Sequence, residues 1–325
     1  MNQKKNKQLK ITIKKNVASI ILMAVTSIGF SQNNSTSNFT KEFSFKTEND
    51  AYLFNLNDAY YTNGFMLNYN YAQEKKGVKK INSFELGQKI FTPLIRKTIT
   101  PTDIDRAYCG YLYLKFAQTR FIKKDALFQF SGSLGIVGPA AWGEGLQNTY
   151  HEWLKFSKFT GWKYQIDNSL GIDFGATYAT TIAATNRIKM VPVIQVNLGT
   201  TFTNASAGAM IVWGAFEKNS ESALWNARIS TKENTQKRKH EFFGYWYPQV
   251  IAQAYNATIQ GGLFNKGSMA VTQQSSGLMY QQTLGACYAL GRFTGKVEYV
   301  YQSKETPTQT KSQRYGSFQI SYRIH

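Results

Sequence analysis

The sequence predicts an all-β fold, a transmembrane antiparallel β-barrel of about twelve strands. From Phe39 onward, apolar and polar residues alternate with period two, in runs of about ten residues separated by turn residues. The chain contains 20 Tyr and 22 Phe, and its N-terminal segment is typical of an exported protein. In a barrel, the apolar face meets lipid, the polar face lines the interior, and aromatic residues collect at both membrane interfaces.

A soluble β-sandwich gives the same alternation with its apolar face turned inward, so alternation alone does not separate the two folds. The runs are as long as a membrane-crossing strand of about ten residues, and the last run, Phe318 to His325, carries an aromatic stripe. A barrel also pairs every backbone polar group within lipid. These features, together with export, favour the barrel.

Residues 1–31 are predicted to be a signal peptide. Six lysines precede an apolar run at residues 17–30, and the small residue Ser31 places the cleavage site before Gln32. The run is shorter than the roughly 20 residues that a spanning helix needs, and no cysteine follows it to carry a lipoprotein anchor. Residues 32–325 are predicted to form one barrel domain, which we expect to act as a monomer.

The mature chain is strongly basic. Loss of the six N-terminal lysines lowers the formal charge from +19 by six, to +13. Such a charge in an exported protein indicates an anionic partner such as the phosphates of a membrane face, whereas export and the absence of a nucleic-acid module argue against nucleic acid. Cys109 and Cys287 fall near opposite ends of their predicted strands, so we expect them to be unpaired.

The alternation assigns twelve strands to residues 41–49, 63–72, 81–91, 108–118, 125–137, 163–175, 187–201, 206–216, 240–257, 278–290, 292–302 and 314–324. With both termini in the periplasm, six connections face outside the cell: 50–62, 92–107, 138–162, 202–205, 258–277 and 303–313. The periplasmic turns are short except for the charged segment 217–239. That segment is either a long periplasmic connection or conceals a strand that the alternation misses.

Candidate chemistry collects in the predicted outer loops. His151 lies in the long connection at 138–162, whereas His240 follows a basic run and His325 is the last residue. The tip after the first strand carries Asn49 and Asp50, whose oxygens are equally suited to form a turn or to bind a hard cation such as Ca²⁺.

Six motifs in order resemble the outer-membrane lipid A 3′-O-deacylase (LpxR-like) family. They are TEND (47–50), DAYYTNG (58–64), ELGQKIFTP (85–93), DRAYCGYLYL (105–114), GPAAWGEGLQNTYHEW (138–153) and GWKYQIDN (161–168). The resemblance implies a twelve-stranded barrel in the outer membrane of a Gram-negative bacterium. It also implies a calcium-dependent active site at the outer rim that hydrolyses the 3′-acyloxyacyl ester of lipid A in lipopolysaccharide.

The resemblance also implies site residues. Asn49, Thr62 and His151 stand where the family keeps catalytic residues, with His151 as the base that activates water, and Asp50 stands where it helps to hold calcium. Two positions depart from the family pattern: Ala107 replaces a proline, and Ser157 replaces a glutamate. Two other carboxylates are candidates to substitute for that glutamate, Glu152 and Glu144, and Asp167 is a weaker one.

Basic residues near the rim are candidates to hold the phosphates of the substrate. They are Arg96, Lys97, Arg106, Lys155 and Lys158. A solvated basic loop that attracts lipopolysaccharide without specific contacts is an equal alternative.

Two other functions remain as alternatives. An outer-membrane phospholipase-type esterase needs a serine two residues after its histidine, and Trp153 occupies that position. A non-enzymatic barrel, either a narrow channel or a surface-binding protein, would be indifferent to substitution of His151.

Overall fold

A computed structural model of the chain describes residues 39–53, 60–153, 157–232, 239–264 and 269–325. The predicted signal peptide, residues 1–31, lies outside the described residues. Twelve long strands are present in the described part of the chain: β1 Lys41–Asn49, β2 Tyr60–Lys75, β3 Val78–Thr92, β4 Cys109–Ile122, β5 Ala126–Val137, β6 Ser169–Thr180, β7 Ile188–Gly199, β8 Phe202–Ala215, β9 His240–Asn256, β10 Leu278–Leu290, β11 Phe293–Gln302 and β12 Gln313–Ile324. Two α-helices accompany them, α1 Gly143–Trp153 and α2 Ala257–Gln260.

The strands form one closed antiparallel barrel. Each strand pairs with its neighbours in the chain, and β1 closes the ring by pairing with β12, with Lys41 opposite Ile324. On the far side, β6 pairs with β7, with Asp173 opposite Gly199, and the two residues Ala183–Ala184 pair antiparallel with the start of β7. The predicted barrel of twelve strands is confirmed.

The wall is apolar outside and polar inside, as the alternation predicts. Phe43 and Phe45 on β1 are exposed on the outer face, whereas their neighbours Glu42 and Ser44 are buried in the interior. The same parity holds around the barrel, for example at Leu86 on β3. Exposed large apolar side chains in every second position exclude the sandwich, whose apolar face would be covered.

The barrel interior holds a network of ion pairs and hydrogen bonds. Lys46 Nζ lies 2.7 Å from a Glu48 carboxylate oxygen and 3.5 Å from Glu298. A second buried pair joins Arg323 Nη1 to Glu42 at 3.3 Å. Buried charges are tolerated when each has a partner of opposite sign, so the network fills the interior without an apolar core.

The segment between β8 and β9 folds into the barrel and closes one end of it. Its described residues contain a 3₁₀ turn, Ala223–Trp225, and no strand. Inward-facing lysines of three strands hold its carbonyl or amide oxygens: Lys79 Nζ donates to Ser220 O (2.6 Å) and Ala227 O (2.7 Å), Lys189 Nζ to Glu217 O (2.8 Å), and Lys296 Nζ to Asn226 Oδ1 (2.9 Å).

Glu241 on β9 also binds this segment. Its carboxylate accepts hydrogen bonds from Glu217 N (2.8 Å), Ser222 Oγ (2.7 Å) and Ala223 N (2.7 Å), and it pairs with Arg228 Nη1 at 3.1 Å. We call residues 217–230 the plug. The charged connection therefore conceals no strand in its described part, and its polar residues serve to seal the interior.

The other end of the barrel carries the longer connections, 50–59, 93–108, 138–168, 257–277 and 303–312, and we call it the long-loop end. Cys109 lies at this end and Cys287 near the opposite end, and both are buried and free of a disulfide, as predicted. In the described part of the chain, no α-helix combines the length and apolar character needed to cross a bilayer.

One predicted strand was placed wrongly. The alternation put a strand at 163–175, but β6 begins at Ser169, and residues 162–164 form a 3₁₀ turn. Trp162 and Ile166 are buried in the loop, against the wall rather than within it. Their alternation therefore reflects packing of the loop on the barrel.

Candidate active site

Asn49 ends β1 on the outer face of the wall. It lies opposite Asn63 of β2, and alternation along β1 puts it on the same side as the exposed Phe43 and Phe45. Its side-chain amide donates to Asn63 Oδ1, and its Oδ1 accepts a hydrogen bond from Ala51 N at 2.6 Å. Both ends of the amide are thus engaged, which fixes its orientation at the long-loop end.

Asp50 follows directly and is buried, with 3% of its surface exposed. It begins a 3₁₀ turn, Asp50–Leu53. Tyr52 of this turn packs edge-on against Phe318 of β12, with ring centroids 5.0 Å apart. Because Phe318 shares the outward parity of the exposed Ile320, the turn that begins at Asp50 folds over the outside of the wall.

Thr62 lies in a β-bulge of β2. The register with β3 shifts between Tyr61, which faces Phe91, and Asn63, which faces Ile90, so Thr62 is the extra residue. Its hydroxyl donates to Ile90 O at 3.2 Å, and the residue is fully buried. The sequence assigned Thr62 to the connection at 50–62, whereas the structure places it in this bulge within β2.

His151 is carried by α1, whose buried residues are Gly143, Gln147 and His151. The start of the helix lies against β4, where a Cβ added at Gly110 would come within 3.0 Å of Gly143 N. His151 Nδ1 lies 2.8 Å from the backbone oxygen of Ser157. A carbonyl only accepts, so Nδ1 carries the proton and Nε2 carries the lone pair of the neutral ring.

An apolar cluster on the outside of the wall connects Thr62 to His151. Ile90, whose carbonyl binds Thr62, packs in this cluster with Tyr108, Phe159 and Trp162. The His151 ring lies 5.5 Å from the Phe159 ring, centroid to centroid. Burial raises the pKa of Tyr108 to about 12, so its phenol stays neutral and adds no charge beneath the site.

The structure therefore brings Asn49, Asp50, Thr62 and His151 to the same outer side of the barrel, at the long-loop end. The four come from β1, the turn that follows it, the bulge of β2, and α1. Their side chains comprise an imidazole of defined tautomer, a buried carboxylate and two neutral polar groups, and such groups can serve acid–base chemistry and stabilise developing charge.

Gln147 lies beside His151 in the candidate site, and the sequence reasoning missed it. It lies one helical turn before His151 on the same buried face, and its Oε1 accepts a hydrogen bond from Trp162 Nε1 at 3.2 Å. Its Nε2 is buried and has no hydrogen-bond partner within the described structure. The spacing of four residues between Gln147 and His151 is the signal that would have identified it.

The comparisons with known proteins fit this geometry. The sequence profile of a family described as outer membrane protein LpxR matches residues 17–324. The chain belongs to the LpxR family. No curated protein matches it in sequence.

The chain is also similar to solved structures, and the first of those that follow supports the fold. LpxR from Salmonella typhimurium is 19% identical with a TM-score of 0.71, and the match covers 87% of this chain and 100% of that one. The β domain of the Bordetella autotransporter BrkA is 9% identical with a TM-score of 0.48, covering 89% and 99%. The translocator domain of NalP from Neisseria meningitidis is 10% identical with a TM-score of 0.36, covering 97% of each chain.

Family membership places this LpxR-family chain in the outer membrane of a Gram-negative bacterium, as predicted. In outer-membrane barrels the longer loops are extracellular, so the long-loop end faces outside the cell. The site lies on the lipid-facing side of the wall at that end. It therefore adjoins the outer leaflet and is separated from the barrel interior by the wall.

The resemblance places a glutamate at position 157, where this chain has Ser157. The backbone carbonyl of Ser157 holds Nδ1 of His151, so the orienting contact does not depend on this side chain. Glu152 and Glu144 are exposed and lie off the buried face of α1. Neither stands beside His151 on that face as a replacement carboxylate.

The predicted phosphate-binding residues have different surroundings. Arg106 is fully buried, and its guanidinium binds Glu305 (3.1 Å), Thr258 Oγ1 (3.0 Å) and the face of Phe91 (3.9 Å to the centroid). This placement argues against a phosphate contact and indicates that Arg106 ties three extracellular loops together. Lys158 is exposed and pairs with Glu152, and Lys155 lies outside the described residues.

Proposed function

We propose that the chain is a lipid A 3′-O-deacylase that hydrolyses the 3′-acyloxyacyl ester of lipopolysaccharide. The observation that carries the proposal is the position of His151. This histidine has a defined tautomer and lies on the same lipid-facing side of the wall as the buried Asp50, next to the outer leaflet. An ester buried among acyl chains reaches such a site without leaving the membrane.

In this mechanism His151 acts as the general base. Its Nε2 takes a proton from water, the resulting hydroxide attacks the ester carbonyl carbon, and a tetrahedral oxyanion forms. Collapse breaks the bond between the carbonyl carbon and the sugar oxygen, which takes the proton back from the imidazolium. The products are a fatty acid and a free 3′-hydroxyl group. Ser157 O keeps the proton on Nδ1 throughout, so Nε2 stays the reacting atom.

The residues at the site fit a calcium ion better than a transition metal. The described residues contain no group of three or more His, Cys, Asp or Glu that would hold a metal. The Asp50 carboxylate and the side-chain oxygens of Asn49 and Asn63 are instead the hard donors that Ca²⁺ accepts together with water. We propose that Asp50 holds Ca²⁺, with Asn49 and Thr62 orienting the groups around it. When bound, the ion would supply positive charge to the oxyanion.

The plug favours an enzyme over a passive channel. Side chains of the wall hold its backbone inside the barrel, so no open pore crosses the interior of the described barrel. The phospholipase alternative requires a serine two residues after His151. Trp153 occupies that position and is exposed at the end of α1. Lipid A deacylation is therefore the function that the site favours.

Mass spectrometry of lipid A tests the proposal. A Gram-negative host would express the wild type, His151→Ala or the matched control His240→Ala, whose histidine is exposed at the opposite end of the barrel. Removal of the 3′-acyloxyacyl group by the wild type and the control, and its retention with His151→Ala, is the expected result. Chelation of calcium in extracted membranes should stop the reaction. Unchanged lipid A with a correctly inserted wild-type barrel would overturn the proposed function.

A further inference from the structure

Helix α1 carries an apolar stripe on its exposed side. Trp142, directly before the helix, is 77% exposed, Leu146 is 36% exposed, and Trp153 at its end is 81% exposed. Leu146 and Trp153 are seven residues apart and share one face of the helix, and Trp142 directly precedes its first turn. We call these three residues the α1 stripe.

Helix α1 is amphipathic, but its large apolar residues are exposed and its buried side chains are polar, which is the reverse of a helix in a soluble protein. Its buried face bears Gln147 and His151, whereas two tryptophans and a leucine are exposed. Each residue advances the helix by about 100°, so Leu146 and Trp153 lie about 140° and 160° around the helix from His151, on nearly the opposite side. Large apolar side chains grouped at the surface mark a place where apolar material binds.

The α1 stripe continues the lipid-facing surface of the barrel. Leu134 on β5 and Leu170 on β6 are outward-facing near the extracellular ends of their strands, and they are 59% and 66% exposed. Helix α1 follows β5 after only a short 3₁₀ turn, Pro139–Ala141. The apolar band of the wall therefore passes onto the helix without an intervening polar element, and tryptophan is the residue that membrane interfaces favour.

We propose that the α1 stripe is a docking surface for the acyl chains of outer-leaflet lipid. The stripe lies in the upper hydrocarbon of the leaflet and binds the acyl chains there, those of the substrate included, while His151 lies on the opposite, wall-facing side of α1. This inference extends the proposed function by naming the part of the chain that recognises the hydrocarbon of the substrate. Specificity for chain length then depends on the stripe, and hydrolysis depends on the buried face.

Tryptophan fluorescence tests the contact without any catalysis. The chain has six tryptophans. In a background protein, the outward-facing Trp213 and Trp246 are replaced by Phe, so that Trp142 and Trp153 of the stripe are the most exposed tryptophans that remain. Full-length barrels are placed in vesicles of phosphatidylcholine brominated near the top of its acyl chains. We expect bromine to quench the fluorescence of this background protein. The quenching should be lost when Trp142→Asn and Trp153→Gln are added.

The substitutions are chosen to keep the backbone in place. Trp142 has a left-handed conformation, with φ of 56°, which asparagine adopts readily. Glutamine is a good helix former for positions 146 and 153. A matched control, Phe264→Gln, removes an aromatic residue that is equally exposed but belongs to the β9–β10 connection.

An activity assay measures the consequence. For the variant Trp142→Asn, Leu146→Gln, Trp153→Gln, we expect kcat/KM on lipid A in vesicles to fall at least about tenfold, since each lost apolar contact weakens chain binding. Hydrolysis of a monomeric short-chain ester should be unchanged, and Phe264→Gln should retain wild-type values on both substrates. An equal fall on both substrates would overturn the inference.

The two experiments fail in distinguishable ways. Absence of bromine quenching in the background protein would overturn the docking surface, whatever the activity. A wild type that cuts no ester would overturn the proposed function, and the quenching would still decide whether the α1 stripe binds acyl chains.

Discussion

The contact between β4 and α1 predicts that a single methyl group far from the reacting atoms slows hydrolysis. A Cβ on Gly110 would lie 3.0 Å from the nitrogen and 3.1 Å from the Cα of Gly143, both closer than the usual contact, which begins near 3.4 Å. Alanine at 110 must therefore displace the start of α1 by a few tenths of an ångström. Valine adds two further methyl groups and requires a displacement of about 1 Å.

The displacement reaches His151, the proposed base, because a short helix moves as a rigid body. His151 lies about two helical turns beyond Gly143, and its ring is packed against Phe159. Misplacement of a catalytic group by about 1 Å costs roughly a hundredfold in rate. We expect Gly110→Ala to slow hydrolysis by about threefold to tenfold and Gly110→Val by about a hundredfold.

The assay is release of fatty acid from lipid A in detergent micelles by purified barrels, with folding checked by the mobility of unheated protein in gels. Gly295 of β11 supplies the matched control, since a Cβ there meets no atom within 4 Å. Gly295→Val should be folded and fully active. A folded Gly110→Val barrel that hydrolyses lipid A at the wild-type rate would refute the positioning role of this contact.

Three further predictions concern the loops and the plug. Glu305→Gln leaves the Arg106 charge buried without its partner, so the free energy of unfolding should fall by about 3–5 kcal/mol in urea titrations; an unchanged midpoint would contradict the structural role of the pair. Glu241→Ala removes the carboxylate that anchors the plug, and ion conductance should appear in planar bilayers where the wild type has none. A Glu241→Ala barrel that conducts no ions would show that the lysine contacts alone keep the plug in place. Ser157→Ala should retain activity within about twofold, because the backbone carbonyl holds the base, and a large loss would show that the hydroxyl takes part.

Most of the barrel could be predicted from the sequence because a lipid-facing wall imposes period-two alternation on every strand. That signal located β1 to the residue and the other strands to within a few residues. It failed at 163–175, where Trp162 and Ile166 alternate because a loop packs against the wall. The alternation also gave no information about the plug, because the fold of the plug depends on lysines of β3, β7 and β11 that are far away in the sequence.

The candidate site was predicted less completely. The motifs identified Asn49, Asp50 and His151, and the structure places all three on the same outer side of the barrel. The bulge at Thr62 depends on the register between β2 and β3, which alternation does not specify. Arg106 was taken for a surface cation because its buried partner, Glu305, lies near the other end of the chain.

The side of the wall on which the site lies determines how the reaction responds to its surroundings. A site that opens onto the leaflet meets its substrate by diffusion in two dimensions. The rate then follows the mole fraction of substrate among the neighbouring lipids rather than its amount per litre. Adding inert detergent at a constant bulk concentration of lipid A should dilute the surface and slow the enzyme, whereas enlarging the aqueous volume should not.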